Sequence, residues 1–259
     1  MRVIGLLSWW DESPVWLAAA IASAARVVDH IVCLDGRYEL YPDYTNQSPT
    51  DQMVAIVEAA KAAGVGLTMH TAPRPYRDEM HKRSKLFELA GLEASDGDWY
   101  FVLDADERVI EAPEKDWLRH FLANVGETVS TVTVSFDEWS DPHADYDRSE
   151  LSRKLPCDWR TQAITPRFFR HYPNLRVVGY HFNYIGDGPD GPVELWGDDS
   201  VVKHRMDWET LRRRVIVENL NRQRAKVRDQ DREKYYASRD DLGIETIAPL
   251  AELEEGVAA

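Results

Sequence analysis

The first 110 residues alternate between short apolar runs and stretches whose apolar residues recur at helical spacing. Residues 3–8 have the length and composition of a buried strand. Ser13 and Pro14 then supply a helix cap and a proline at the first helical position, followed by Leu17, Ala20, Ile21, Ala24 and Val28 on one face. A second apolar run, 30–34, ends at Asp35 and Gly36, and a loop bearing prolines and tyrosines follows. Met53, Ile56, Val57 and Ala60 stand at i, i+3, i+4 and i+7, with Gly64 placed to close that helix. Residues 65–69 read as a third strand. Residues 80–94 read as a helix carrying Arg83, Leu86, Phe87 and Ala90 on one face, and 99–103 as a fourth strand ending in Asp104-Ala105-Asp106-Glu107. Strands separated by helices imply βαβ units in a mostly parallel sheet.

Beyond residue 110 the pattern is less regular. Residues 129–136 alternate as a strand does, and 137–153 form a polar loop. Residues 167–170 and 176–184 suggest short strands, and the Gly- and Pro-rich run 186–192 a turn or lid. Residues 208–236 predict a long basic helix, with Arg212, Arg213, Arg214, Arg222, Arg224, Lys226 and Arg228 around a thin apolar stripe. The expected organisation is one domain over 1–239, made of a nucleotide-binding half (1–110), an acceptor half (111–205) and the basic helix (206–239). An acidic, loosely held tail over 240–259 follows.

In a parallel sheet, ligands gather beyond the carboxyl ends of the strands. Asp11-Glu12, Asp35 and Asp104/Asp106 all follow predicted strands, so they are expected along one sheet edge. In extended chain, Asp104 and Asp106 point to the same side and both can face one ligand. Carboxylate oxygens suit Mn²⁺ or Mg²⁺, which leave coordination positions for phosphate oxygens. An isolated Asp-x-Asp also occurs simply because acidic residues close strands as turn formers.

The neighbouring segments add to this motif. GDWYFVLDADERV, preceded by HKRSKLFELAGLEAS, resembles the central signature of family-2-type glycosyltransferases. SWWDESPVWLAAAIASAARVVDHIVCLDGRY resembles that family's opening, with Asp11 where the family usually has Asn. The resemblance covers residues 3–109 and implies a GT-A-type α/β fold: a mixed, mostly parallel central sheet flanked by helices, here with the basic C-terminal helix added. It implies a metal-dependent transfer of a sugar from a nucleotide-sugar, UDP-linked by family habit, to a hydroxyl acceptor, with inversion. By position it places Ser8, Glu12, Asp35, Lys82, Arg83 and Asp104 at the nucleotide-sugar, and Asp104 and Asp106 at Mn²⁺ or Mg²⁺.

TPRFFRHYPNLRVVGYHFNY resembles a later segment of some members in which a His-Glu pair follows, but here Phe182 follows His181. A catalytic base is therefore sought at Asp198 and Asp199, with Asp137 and Glu138 as alternatives. For His204 two readings stand, a late metal ligand or a histidine at the start of the basic helix. Glu12 equally suits a helix N-terminus, and Lys82 and Arg83 a solvated helix face.

Charge sharpens the partner question. The chain carries a net −14, yet residues 203–239 hold 12 Lys/Arg against 6 Asp/Glu, a local +6 beside −20 for the rest. That stretch is either a solvated face or a track for a phosphate-bearing acceptor such as nucleic acid; saccharide and small-molecule acceptors remain open. Nine tryptophans offer aromatic faces for stacking a sugar or base. Cys33 and Cys157 cannot build a disulfide framework or a four-cysteine zinc site, and Cys33 reads as a buried hydrophobe. No long apolar run opens the chain, and residues 15–28 are interrupted by Ser23 and Arg26, so a soluble cytoplasmic protein without a transmembrane segment is expected. Two other classes share these features. A nucleotidyltransferase would need a Gly- and Lys-rich first loop that SWWDESP lacks, and a non-catalytic binding protein would retain the fold alone.

Overall fold

The computed structural model describes residues 1–39, 45–109, 112–140, 162–177, 184–185, 191–194, 202–206 and 245–247. Four parallel strands form its centre: β1 (Val3–Trp9), β2 (His30–Asp35), β3 (Gly66–Thr71) and β4 (Trp99–Asp104). Helices α1 (Pro14–Ala24), α2 (Thr50–Ala63) and α3 (Glu79–Gly91) connect them in turn.

The remaining elements are β5 (Glu107–Val109), α4 (Lys115–Asn124), β6 (Val129–Ser140), β7 (Gln162–Arg170), β8 (Arg176–Val177), β9 (Tyr184–Ile185), β10 (Gly191–Glu194), β11 (Val202–Met206) and β12 (Glu245–Ile247). Among the described residues the main sheet runs β12-β3-β2-β1-β4-β7-β6-β11-β5, with β10 beside β6, and β8 and β9 pair separately. The pairings β12–β3, β4–β7, β7–β6 and β11–β5 are antiparallel, so the sheet is mixed around a parallel centre.

Strand chemistry explains that centre. Side chains alternate between the two faces, and in β1, β2 and β4 both faces are apolar, as in a parallel sheet covered on each side. Val3, Leu7, Trp9, Ile31, Cys33, Phe101 and Leu103 pack with Leu17, Ile21, Ile56 and Val57 of α1 and α2. Ile4, Leu6, Val32, Leu34, Tyr100 and Val102 pack with Met80, Leu86, Phe87 and Ala90 of α3. Each fully buried Val, Leu, Ile, Phe or Met among them stabilises the fold by about 1.5–3 kcal/mol relative to exposure, and the smaller Cys33 and Ala90 by less. Burial also pushes the Cys33 thiol well above the ordinary range. The helices lie on opposite faces because the chain steps one way from β1 to β3 and then returns across β1 to β4; right-handed crossovers in opposite directions use opposite faces.

Ser13 stands at the N-cap of α1 as read but makes no side-chain capping bond, and the helix ends at Ala24, short of Val28. Pro14 opens α1, and Gly64 closes α2 at φ 64, the left-handed cap a glycine adopts without strain. Asp11 lies at φ 51 in the β1–α1 turn. Asp and Asn are the side chains that best tolerate that region, so Asp11 takes it up with little strain.

Several expectations change. The first residues of the loop predicted over 137–153 are strand instead: β6 runs to Ser140 with β7 and β11 paired along it, and 141–153 lie outside the described residues. His204 does not start a helix: it lies within β11, opposite Glu107 of β5 and Glu138 of β6. Part of the predicted Gly/Pro-rich turn is strand β10, where Pro192 is tolerated at the edge of β6 beside a register shift. Within the segment expected as an acidic tail, Glu245–Ile247 add an antiparallel strand to β3. Residues 206–239 lie outside the description except Met206, as do Asp198, Asp199, His181 and Phe182. No helix among the described residues is long and apolar enough to cross a membrane.

Candidate functional site

The strand order β3-β2-β1-β4 places a topological switch point between β1 and β4, where successive connections leave in opposite directions, the place at which sheets of this kind receive ligands beyond their carboxyl ends. Register sets what lines it. Ser8 pairs with Asp104 across β1–β4 and with Leu34 across β1–β2, and Trp9 pairs with Asp35. Ser8, Asp35 and Asp104 therefore lie at nearly one level along a single sheet edge, as the spacing in sequence implies.

Asp104 ends β4 and Asp106 follows in the turn to β5. The Asp104 side chain is 14% exposed and accepts a hydrogen bond from Arg83 Nη2, while Arg83 Nε donates to Glu79 Oε1 at 2.8 Å. Asp106 is buried. The turn is held by Glu107, which sequence left without a role. Its Oε2 accepts the Asp104 backbone N–H at 2.9 Å, and its Oε1 accepts from Arg167 Nη2 of β7 at 2.5 Å. Glu107 and Arg167 are both almost completely buried. An ion pair inside the protein gains from low dielectric but suffers from lost hydration, so its contribution lies in fixing geometry rather than in raw stability.

Asp35 is fully buried and faces inward to a loop. Its Oδ1 and Oδ2 accept from Ser48 Oγ at 2.6 Å and Ser48 N–H at 2.8 Å. Burial raises its pKa, against the opposing pull of Lys82, Ser48 and the Gly36 N–H. Ser48 Oγ also accepts from the Asp11 N–H, and Gln52 Oε1 from the Glu12 N–H at 3.1 Å. The start of α2 thus braces the β1–α1 turn, with half-buried Glu12 at its crest.

Lys82, expected at base or phosphate, is fully buried beneath that edge. Its Nζ donates to Trp9 O at 2.5 Å and Gly36 O at 2.6 Å, the carbonyls where β1 and β2 end. The rings of Tyr38 and Tyr76 lie 5.6 and 5.7 Å away. Burial lowers its pKa to about 7, although Asp35 acts in the opposite sense. Gly36 adopts φ +132, and a Cβ there would lie 2.7 Å from the Tyr76 ring, so only glycine lets that ring close over the lysine.

Ser8, Asp104 and Arg83 therefore meet at the switch point, with Asp106 in the following turn and Glu12 in the β1–α1 turn, while Asp35 and Lys82 support the strand ends from within. His204 is tied to the same corner by backbone register. Asp137 and Glu138 lie in β6 opposite Lys203 and His204. Among the described residues no group of three or more His, Cys, Asp or Glu is arranged to hold an ion. Asp104 closes β4 and Asp106 lies in the turn, so the same-side projection expected of extended chain does not apply to the pair; they still supply two oxygen-donor carboxylates two residues apart, and Asp104 accepts a cationic partner. That set suits a hard divalent ion whose remaining positions are filled by a ligand's phosphate oxygens.

No family model and no curated protein matches this chain. Among solved structures, mannose-6-phosphate isomerase from Helicobacter pylori is similar over 54% of this chain and 52% of its own, with 10% identity and a TM-score of 0.30. The chain spans about half the length of that protein, and at this similarity neither fold nor function transfers.

Proposed function

We propose that this chain is a metal-dependent glycosyltransferase that binds a nucleotide-sugar, UDP-linked, at the β1/β4 switch point. The observation that carries the reading is the meeting of Ser8 and Asp104 at the carboxyl ends of adjacent parallel strands, with Arg83 beside Asp104 and Asp106 two residues on in the turn. Such a switch point fits an elongated nucleotide, and the acidic turn with one guanidinium fits a metal-bound diphosphate. Asp104 and Asp106 would hold Mn²⁺ or Mg²⁺. The seating of His204 opposite Glu107 favours its reading as a further ligand. When bound, the ion neutralises negative charge on the departing diphosphate.

In the reaction the acceptor hydroxyl oxygen forms a bond to the anomeric carbon. The anomeric carbon–phosphate oxygen bond breaks with its electrons passing to the diphosphate. A carboxylate takes the hydroxyl proton, a role suited to Asp198 or Asp199, or to Asp137 or Glu138. Displacement from the opposite side inverts the anomeric centre. Ser8 and Glu12 line the nucleoside end, and Asp35 and Lys82 set the strand ends on which it rests.

A panel of nucleotide-sugars tests the reading by release of nucleoside diphosphate with and without Mn²⁺. Metal-dependent hydrolysis of one donor, lost in Asp106→Ala, is expected. Release of pyrophosphate from a nucleoside triphosphate instead would point to nucleotidyl transfer, and no turnover or binding of any donor would leave a non-catalytic protein.

A further inference from the structure

We infer that Arg83 is an internal counter-cation for Asp104, and that its displacement makes the divalent ion and the diphosphate bind as a linked pair. The inference rests on the donor-site reading above. Three observations carry it. Arg83 Nη2 lies on the carboxylate that ends β4, in a corner where both side chains are largely shielded from water, 13% and 14% exposed. Its Nε is held by Glu79 Oε1 one helical turn earlier, so the guanidinium is aimed at the strand end and does not wander over the surface. Asp104 is also the residue whose backbone N–H is fixed by the buried Glu107–Arg167 pair, so the carboxylate works from a main chain held in place.

A divalent ion arriving alone must compete with a charge-assisted hydrogen bond at a partly desolvated site, and would leave the guanidinium beside a dication. Like charges at short range in that environment repel strongly. A diphosphate arriving alone meets Asp104 and Asp106 and is repelled by them. When both arrive, one exchange satisfies every group: Asp104 passes from Arg83 to the ion, and Arg83 passes from Asp104 to phosphate oxygens, whose geometry its planar fork matches. Each ligand removes the obstacle to the other, and by linkage the enhancement is the same in both directions.

The test measures Mn²⁺ affinity by the loss of the free-ion EPR signal, with and without UDP or GDP, on the full chain and on Arg83→Met and Arg83→Lys. Circular dichroism checks that the variants are folded. Arg83→Met is expected to bind Mn²⁺ alone about tenfold tighter than the unaltered protein, the equivalent of losing one charge-assisted competitor. The factor by which UDP or GDP tightens Mn²⁺ binding should shrink correspondingly. Arg83→Lys, which keeps the charge without the fork, should lie between. In an Asp104→Asn background the Arg83→Met change should tighten Mn²⁺ binding by much less than about tenfold, since only charge repulsion is left to relieve; an undiminished effect there would overturn the exchange at Asp104. Equal Mn²⁺ affinity in the unaltered protein and Arg83→Met, with nucleotide coupling intact in both, would overturn the role of Arg83 while sparing the donor site. Absence of Mn²⁺ binding in the unaltered protein with either nucleotide would overturn the donor site and this inference with it.

Discussion

Replacing Lys82 by Met is the most informative single perturbation of the fold beneath the site. A neutral amine has two N–H donors, and the structure supplies two acceptors, Trp9 O and Gly36 O. An ammonium has a third N–H, with Tyr38 and Tyr76 ring faces as neighbours and no bulk water. Asp35, Glu12 and Glu79 favour the charged form and Arg83 opposes it, but burial dominates and brings the pKa from 10.5 to about 7. The sign follows from proton counts. Between the folded value near 7 and the unfolded value of 10.5, the unfolded chain binds the proton that the folded chain has lost, so stability rises with pH across that window. Integrating over this shift, the wild type should gain about 2.5 kcal/mol relative to Lys82→Met between about pH 7.5 and pH 9.5, one proton being worth at most ~1.4 kcal/mol per pH unit. Urea unfolding of both proteins at matched ionic strength gives the difference curve, which cancels groups that Lys82 does not touch. A flat or falling difference curve would refute the reasoning, because it would mean that the lysine stays charged inside the fold.

Other outcomes follow from the same geometry. A nucleoside diphosphate and Mn²⁺ together should raise the thermal midpoint more than the two separate shifts combined, since Asp104 and Asp106 are too sparse a set to hold the ion alone; simple additivity in a thermal-shift assay would count against the shared site. Glu107→Ala strands a buried guanidinium and should destabilise the fold by about 3–5 kcal/mol, whereas Glu107→Leu with Arg167→Met should recover most of that in urea unfolding yet still lose transfer, because the Asp104 N–H is no longer held. Asp35→Ala removes two hydrogen bonds to Ser48 and a counter-charge to Lys82; a loss of about 2–4 kcal/mol by urea unfolding is expected, with donor KM rising more than kcat falls. Changing Arg212, Arg213, Arg222 and Arg224 to Gln should weaken use of a phosphate-bearing acceptor and flatten its salt dependence while leaving donor hydrolysis intact; unchanged transfer would mark that stretch as a solvated face.

The parallel centre was legible because its signals are local. The apolar runs of β1, β2 and β4, the Ser13-Pro14 start of α1 and the glycine that closes α2 each depend on only a few neighbouring residues. The same locality placed Asp35 and Asp104 at strand ends. Helix α4 was missed, although Leu118, Phe121 and Leu122 at helical spacing after Pro113 carried its signal. What local pattern does not contain is pairing at a distance. β5 is three residues long and exists because β11, nearly a hundred residues later, lies antiparallel to it. Glu107 and Arg167 are 60 residues apart, and each alone looks like a surface charge. Ser48 precedes a proline in a loop, a setting that says turn and nothing of Asp35 thirteen residues earlier.

Lys82 and Arg83 show where the boundary lies. Adjacent on one helix, they carry the same charge and the same expectation, a basic residue near base or phosphate. They project about 100° apart around the helix axis, and that angle decides everything. Because α3 lies across β1 and β2, one of the two directions leads under the strand ends and the other toward the end of β4. The first lysine becomes an internal tie between two carbonyls, and the second residue, an arginine, meets a carboxylate at the switch point. Exchanging them would fail at both positions. A guanidinium carries five donors where the buried pocket offers two carbonyls, and an ammonium lacks the fork that can pass from carboxylate to phosphate. The Lys-Arg order is therefore a consequence of the crossing of α3 over the sheet, and the double exchange Lys82→Arg with Arg83→Lys should destabilise the fold and weaken nucleotide–metal coupling together.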